Sequence, residues 1–148
     1  KDIAKRFPTA NKVVTIETSG IAIAYAVCLA LNNCKLVFAK KQASKITGDN
    51  NYLSKVNSFT KGKTYDICID KNYLNPGDKV VIVDDFLAAG SAGCGLVDLC
   101  KQAGVEVVGF AVAIEKGFQG GREAIEKQGV EVYSCACVKA FKDNKPVF

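Results

Sequence analysis

Histidine, methionine and tryptophan are absent from the 148 residues, and only 3 prolines occur. Without an imidazole there is no Cys/His zinc site, no histidine-activated nucleophile and no histidine general base. Cys-x-x-Cys spacing is missing too, which removes the common thiolate metal and redox motifs. No apolar run approaches membrane-spanning length, and no charged-then-apolar leader opens the chain, so a soluble, cytoplasmic protein with no membrane partner is expected. A dense basic block is also lacking. The net charge of +5, from 20 Lys and Arg against 15 Asp and Glu, is spread along the chain and suits either a polyanionic ligand or plain solubility. No helix-turn-helix signal points to nucleic acid. The chain opens at Lys1 without an initiator, and a fragment lacking an N-terminal segment is expected.

What is present is a core. At 49% hydrophobic content the length suits one domain with a continuous interior, covering 1–148. The 7 cysteines are odd in number, and Cys28, Cys68, Cys100 and Cys135 stand in apolar surroundings. They read as reduced thiols packed as small core residues. Cys135 and Cys137 lie two apart in a strand-like run and share one side of it.

Lys1–Phe7 reads as a helix tail stopped by Pro8, and Val13–Ile16 as a buried strand. The polar turn Glu17-Thr18-Ser19-Gly20 leads to an apolar helix over Ile21–Leu31, ended by Asn32-Asn33, and Leu36–Ala39 returns as a strand. Lys40 to about Lys63 turns polar, the pattern of a long functional loop or a flexible hairpin. Tyr65–Ile69 alternates as a strand, Asn75-Pro76-Gly77-Asp78 is a turn, and Val80–Val83 is a strand. A helix over Ser91–Gln102 follows, with Leu96, Val97, Leu99 and Cys100 as its apolar face and Gly104 after its end. Val107–Ile114 is a strand, Arg122–Gln128 a short helix closed by Gly129, and Val130–Val138 the last long strand. This alternation predicts an α/β fold, a doubly wound, mostly parallel sheet with ligands at the carboxyl ends of its strands.

The segment from Val80 to Ala92 joins an apolar strand, two acids, a loop of small residues and a helix start. Paired carboxylates at the end of a buried strand can accept hydrogen bonds from vicinal hydroxyls. Ala88, Ala89, Gly90, Ser91 and Ala92 lack bulk, and the helix after them offers free N–H groups and its positive end to a phosphate. Taken alone, the acids could equally be ordinary N-capping groups. The glycines miss the G-x-G-x-x-G spacing and no G-K-[ST] occurs, so this is neither a dinucleotide fingerprint nor a Walker loop.

The whole pattern resembles the phosphoribosyl pyrophosphate (PRPP) signature of type I phosphoribosyltransferases. The resemblance implies that Asp84 and Asp85 hold the ribose hydroxyls and that Ala88–Ala92 hold the 5-phosphate. It also implies that Glu17, Thr18, Ser19 and Gly20 form a pyrophosphate loop, otherwise a capping turn, with Lys40 and Lys41 as its basic pair. Ala43–Lys63, including Ser58-Phe59-Thr60-Lys61, corresponds to a mobile loop that covers the site. Mg²⁺ would arrive bound to the substrate, with no metal site in the protein itself, and a homodimer is the family's assembly.

Two positions bear on the base. Hypoxanthine-guanine members carry a carboxylate where this chain has Ala88, which leaves the adenine and xanthine members. Ile114-Glu115-Lys116-Gly117-Phe118-Gln119 closely resembles the matching segment of the xanthine enzymes. A lysine only donates hydrogen bonds, so Lys116 favours a 6-oxo acceptor over an amino group. Phe118 would stack on the purine or serve as a packing residue. The expected activity is transfer of the phosphoribosyl group of PRPP to xanthine, giving XMP and pyrophosphate in purine salvage. Guanine, hypoxanthine or adenine as the base, or a PRPP-sensing regulator, are the alternatives. The family's N-terminal hood, which adds nucleobase contacts, is expected to be missing from this sequence.

Overall fold

The computed structural model describes residues 1–42, 50–58 and 62–148. Helix α1 (Asp2–Arg6) is followed by β1 (Lys12–Ile16), α2 (Gly20–Ala30) and β2 (Lys35–Gln42). β1 and β2 pair in parallel with Val13 opposite Leu36, the βαβ unit that the sequence pattern predicts. β3 (Asn51–Ser58) and β4 (Lys63–Asp70) form an antiparallel ribbon, and β4 adds antiparallel to β2. The rest of the chain supplies β5 (Lys79–Leu87), α3 (Ser91–Gln102), β6 (Glu106–Lys116), α4 (Gly121–Glu126) and β7 (Val132–Val138). A small exposed hairpin, β8 (Ala140–Lys142) with β9 (Lys145–Val147), follows.

Among the described residues the main sheet runs β3-β4-β2-β1-β5-β6-β7. Its strands from β2 through β7 are parallel. Successive side chains alternate across it and feed two cores. Val13, Val81 and Val83 pack with Ile3 of α1, Phe7 just after it, and Ala24 and Val27 of α2. Val14, Ile82 and Phe110 pack with Leu96, Val97 and Leu99 of α3 and Ile125 of α4. Helices therefore cover both faces, as expected for a doubly wound sheet. No described helix is long and apolar enough to cross a membrane.

Several elements differ from the sequence pattern. Within the polar stretch Lys40–Lys63, residues 51–58 form a strand whose Val56 is buried against the larger core, while Gln102 of α3 donates to the Leu53 carbonyl at 2.8 Å. Residues 43–49 and 59–61, part of the expected mobile loop Ala43–Lys63 and including the Phe59-Thr60-Lys61 part of its motif, lie outside the described residues. β5 runs on to Leu87 and β6 to Lys116, past the apolar runs, because their ladder continues through Phe86 opposite Ile114 and Leu87 opposite Glu115. Of the seven cysteines only Cys28, Cys68 and Cys100 are buried; Cys135 is exposed, contrary to its apolar sequence context. Burial pushes the Cys28 and Cys100 thiols up to about 12. At the opposite end of the sheet from the acids, buried Lys12 pairs with Asp78 at 2.5 Å and donates to the Tyr73 carbonyl at 2.7 Å. Burial opposes the Asp78 charge, but the hydrogen bond from Lys12 keeps its carboxyl below the usual range.

Candidate functional site

β1 leads by way of α2 to one side of the sheet, and β5 leads by way of α3 to the other, so the two neighbouring strands diverge at their carboxyl ends. That switch point opens a crevice, the place where doubly wound sheets take ligands. The turn 17–20 closes one side of it and 84–92 the other. Gly20 sits so near both that a Cβ there would overlap the Thr15 hydroxyl and come to 2.9 Å from Asp84 Oδ1.

Asp84 is only 7% exposed and accepts the Asp85 backbone N–H at 2.9 Å. Burial first, and the neighbouring Asp85 carboxyl second, push its pKa up to about 7. The Lys41 charge acts in the opposite direction. Asp85 is more open. Thr15 Oγ1 is a buried oxygen with no hydrogen-bond partner.

Ala88–Ala92, with Asp84 and Phe86, line a cleft of about 500 Å³. Gly90 turns the chain in the left-handed region at φ 84°, which Gly adopts without strain, and serves as N-cap of α3 with no side chain closing the helix end. The first N–H groups of a 12-residue helix thus face the cleft end of the loop. The loop rests on α4: a Cβ at Gly121 would overlap the Ala88 carbonyl oxygen, and one at Gly90 would lie 2.9 Å from the Gly121 oxygen.

Across the crevice, Glu17 donates its backbone N–H to Ala39 at 3.1 Å and accepts the Lys41 N–H through Oε1 at 2.6 Å, tying the turn to β2. The Glu17–Thr18 peptide is cis. Thr18 and Ser19 are exposed, whereas Gly20 is buried at the start of α2. Lys41 acts electrostatically on Asp84. Lys40 diverges from it and lines a separate hollow of about 540 Å³ with Phe38, Asn51, Asp70 and Tyr73. Adjacent strand residues face opposite sides, so the two lysines are not a contiguous pair in space.

Lys116 ends β6 with its ammonium 5.1 Å from the centre of the Phe86 ring, a cation–π contact that sets it beside a cleft-lining side chain. Phe118 is half exposed and meets Phe141 edge to face at 6.0 Å rather than lining the cleft. Its neighbour Gln119 does line the cleft, as do Asn57 and Tyr65 of the β3–β4 ribbon. Burial and the nearby Asp84 charge raise the Tyr65 pKa. Gln119, Tyr65 and Gly121 have no local motif; only the doublet Gly120-Gly121 before a short helix hints at a close approach. Among the described residues no group of three or more Cys, Asp or Glu side chains is gathered to hold a metal.

Residues 6–143 match the phosphoribosyl transferase domain family. The chain is 46% identical over 150 residues to xanthine phosphoribosyltransferase 2 of Clostridium botulinum, covering all of this chain and 79% of that one. It is 49% identical over 138 residues to xanthine phosphoribosyltransferase of Finegoldia magna, covering 93% of this chain and 72% of the relative. Among solved structures, the APRTase of Giardia lamblia complexed with 9-deazaadenine aligns over 94% of this chain and 77% of its own, with a TM-score of 0.82 at 26% identity. An acid pair and an uncapped helix start side by side at a sheet switch point are thus the local form of a wider likeness, and the chain belongs to the phosphoribosyl transferase family, within its xanthine phosphoribosyltransferase group.

Proposed function

We propose that the chain transfers the 5-phosphoribosyl group of PRPP to xanthine, giving XMP and pyrophosphate, a reaction of purine salvage. The observation that carries this reading is the crevice itself, with Asp84 on one wall, Asp85 next to it in the chain and the open N-terminus of α3 beside them. The Ala88–Ala92 loop takes the 5-phosphate through the N–H groups of the helix start and the Ser91 hydroxyl. The two carboxylates accept the ribose hydroxyls, and the turn Glu17–Gly20 with Lys41 receives the pyrophosphate. Lys40, facing a separate hollow, contributes at longer range. Magnesium belongs to the substrate, carried on the PRPP pyrophosphate and hydroxyls.

In the reaction the bond from ribose C1 to pyrophosphate oxygen breaks and its electron pair leaves with pyrophosphate. A purine ring nitrogen forms the new bond to C1 and gives up its proton to solvent. No carboxylate stands at Ala88 to take that proton, which suits xanthine, the most acidic of these purines. Lys116 reads the 6-oxo group, and Gln119 rather than Phe118 is the neighbour with direct access to the cleft. The enzyme's contribution is alignment and stabilisation of the departing charge. The reaction belongs in the cytoplasm on this reading, and exposed Tyr25 and Leu29 of α2 and Phe38 of β2 favour the family's homodimer.

The test is PRPP binding by the Asp84→Asn/Asp85→Asn variant. Affinity is expected to fall by at least about tenfold, since two charge-assisted acceptors are lost. Unchanged binding and turnover would remove the acid pair from the site.

A further inference from the structure

We propose that Glu115 and Arg122 form a positioning pair that sets the purine side and the 5-phosphate side of the cleft in one geometry, a role that rests on the phosphoribosyl-transfer reading above. Glu115 is a buried carboxylate, 3% exposed, and both its oxygens are taken by one guanidinium: Arg122 Nε to Oε1 at 2.9 Å and Nη2 to Oε2 at 2.6 Å. The same guanidinium donates Nη1 to the Val132 carbonyl at 2.7 Å and to Glu126 at 3.2 Å, and Nη2 to Ser134 Oγ at 3.2 Å. One side chain thereby joins the end of β6, the body of α4 and the start of β7. The Arg122 hydrogen bond holds the Glu115 carboxyl below the usual range, and its partner holds the guanidinium above its own.

The placement of this pair in the chain gives it its reach. Lys116, beside the cleft, directly follows Glu115, and Gly121, on which the phosphate loop rests, directly precedes Arg122. Gln119 lies on the short span between them. Fixing Glu115 to Arg122 therefore fixes both ends of the segment that carries the purine-side groups, and through Gly121 it fixes the floor under Ala88 and Gly90. A bidentate pair holds direction as well as distance, which a lysine in the same place cannot do. Neither partner lines the cleft, so the pair acts through its neighbours.

The pair is tested with Arg122→Lys, which keeps the charge and loses the fork, and with Glu115→Gln, which removes the countercharge and turns an N–H donor toward the guanidinium. Two readouts are taken: hydrogen exchange of the peptides 88–92 and 116–120, and steady-state kinetics with xanthine and PRPP. In Arg122→Lys both peptides are expected to exchange about tenfold faster while α2 is unchanged. KM for both substrates should rise about tenfold with kcat within about threefold, and Glu115→Gln should shift KM and exchange in the same direction by at least as much. A fall in kcat with both KM values and both exchange rates unchanged would reduce the pair to ordinary support of the fold and overturn the proposal. If the unaltered chain forms no nucleotide with any purine, the functional reading falls, and the exchange rates, which need no substrate, decide the pair by the same criterion.

Discussion

Asp84 stands in the cleft with its pKa pushed up to about 7, chiefly by burial. An unfolded aspartate titrates near about 3.9. Between those values the folded chain keeps a proton that the unfolded chain has released, so this group's contribution to stability is complete below the unfolded value and is lost as pH rises through about 7. Urea unfolding of wild type and Asp84→Asn should show wild type gaining roughly 2 kcal/mol on the variant between pH 8 and pH 5. A difference that does not vary with pH would mean that Asp84 ionises freely. Binding has the opposite slope, because ribose hydroxyls need the carboxylate as acceptor: KM for PRPP should rise below about pH 7. Lys116 carries the second residue-scale prediction. Lys116→Leu should lose a charge-assisted hydrogen bond of about 1.5–3 kcal/mol, roughly 10- to 150-fold in kcat/KM for xanthine, with PRPP affinity little changed. A Leu variant that still preferred xanthine over adenine would make Lys116 an ordinary edge lysine.

Elements that read clearly in the sequence are those whose boundary coincides with a change in hydrophobicity. Helix α3 covers Ser91–Gln102, as its apolar spacing predicts, and the left-handed glycines Gly104 and Gly129 follow α3 and the turn after α4. The ends of β5 and β6 are different: their hydrogen-bond ladder continues after the apolar run has stopped, and side-chain periodicity does not register a ladder. β3 is polar on most positions and buries Val56 against α3, too little apolar pattern to announce a strand, whereas the alternation over 65–69 announces β4. The site divides in the same way. Asp84 through Ala92 are contiguous and legible, while Gln119, Tyr65 and Gly121 reach the loop or the cleft by tertiary approach and leave no local spacing to find. Alternation along β2 would have been sufficient to separate Lys40 from Lys41. The contact between the phosphate loop and α4 gives the prediction at this scale. In Gly121→Ala the added methyl meets backbone at Ala88 and Gly90, so the variant should lose about 1–3 kcal/mol of stability and bind PRPP more weakly. Wild-type stability and PRPP affinity in that variant would show that the loop does not depend on its floor.

At the scale of the whole molecule, the sheet order does the positioning. β1 and β5 are neighbours in the middle of the sheet, yet their helices cover opposite faces, and that divergence makes room for a ligand. The two walls then come from parts of the chain far apart in sequence, 17–20 and 84–92, with 115–122 closing the purine side. A doubly wound sheet alone is compatible with many chemistries. In the proposed reading, the acids, the small loop and Lys116 narrow them to phosphoribosyl transfer onto an oxopurine. The most direct measurement is nucleotide formation from PRPP and Mg²⁺ with xanthine, guanine, hypoxanthine and adenine offered separately. The account predicts XMP and pyrophosphate in equal amounts, with kcat/KM highest for xanthine and lowest for adenine. A chain that turned over adenine best, or released pyrophosphate without making a nucleotide, would contradict it.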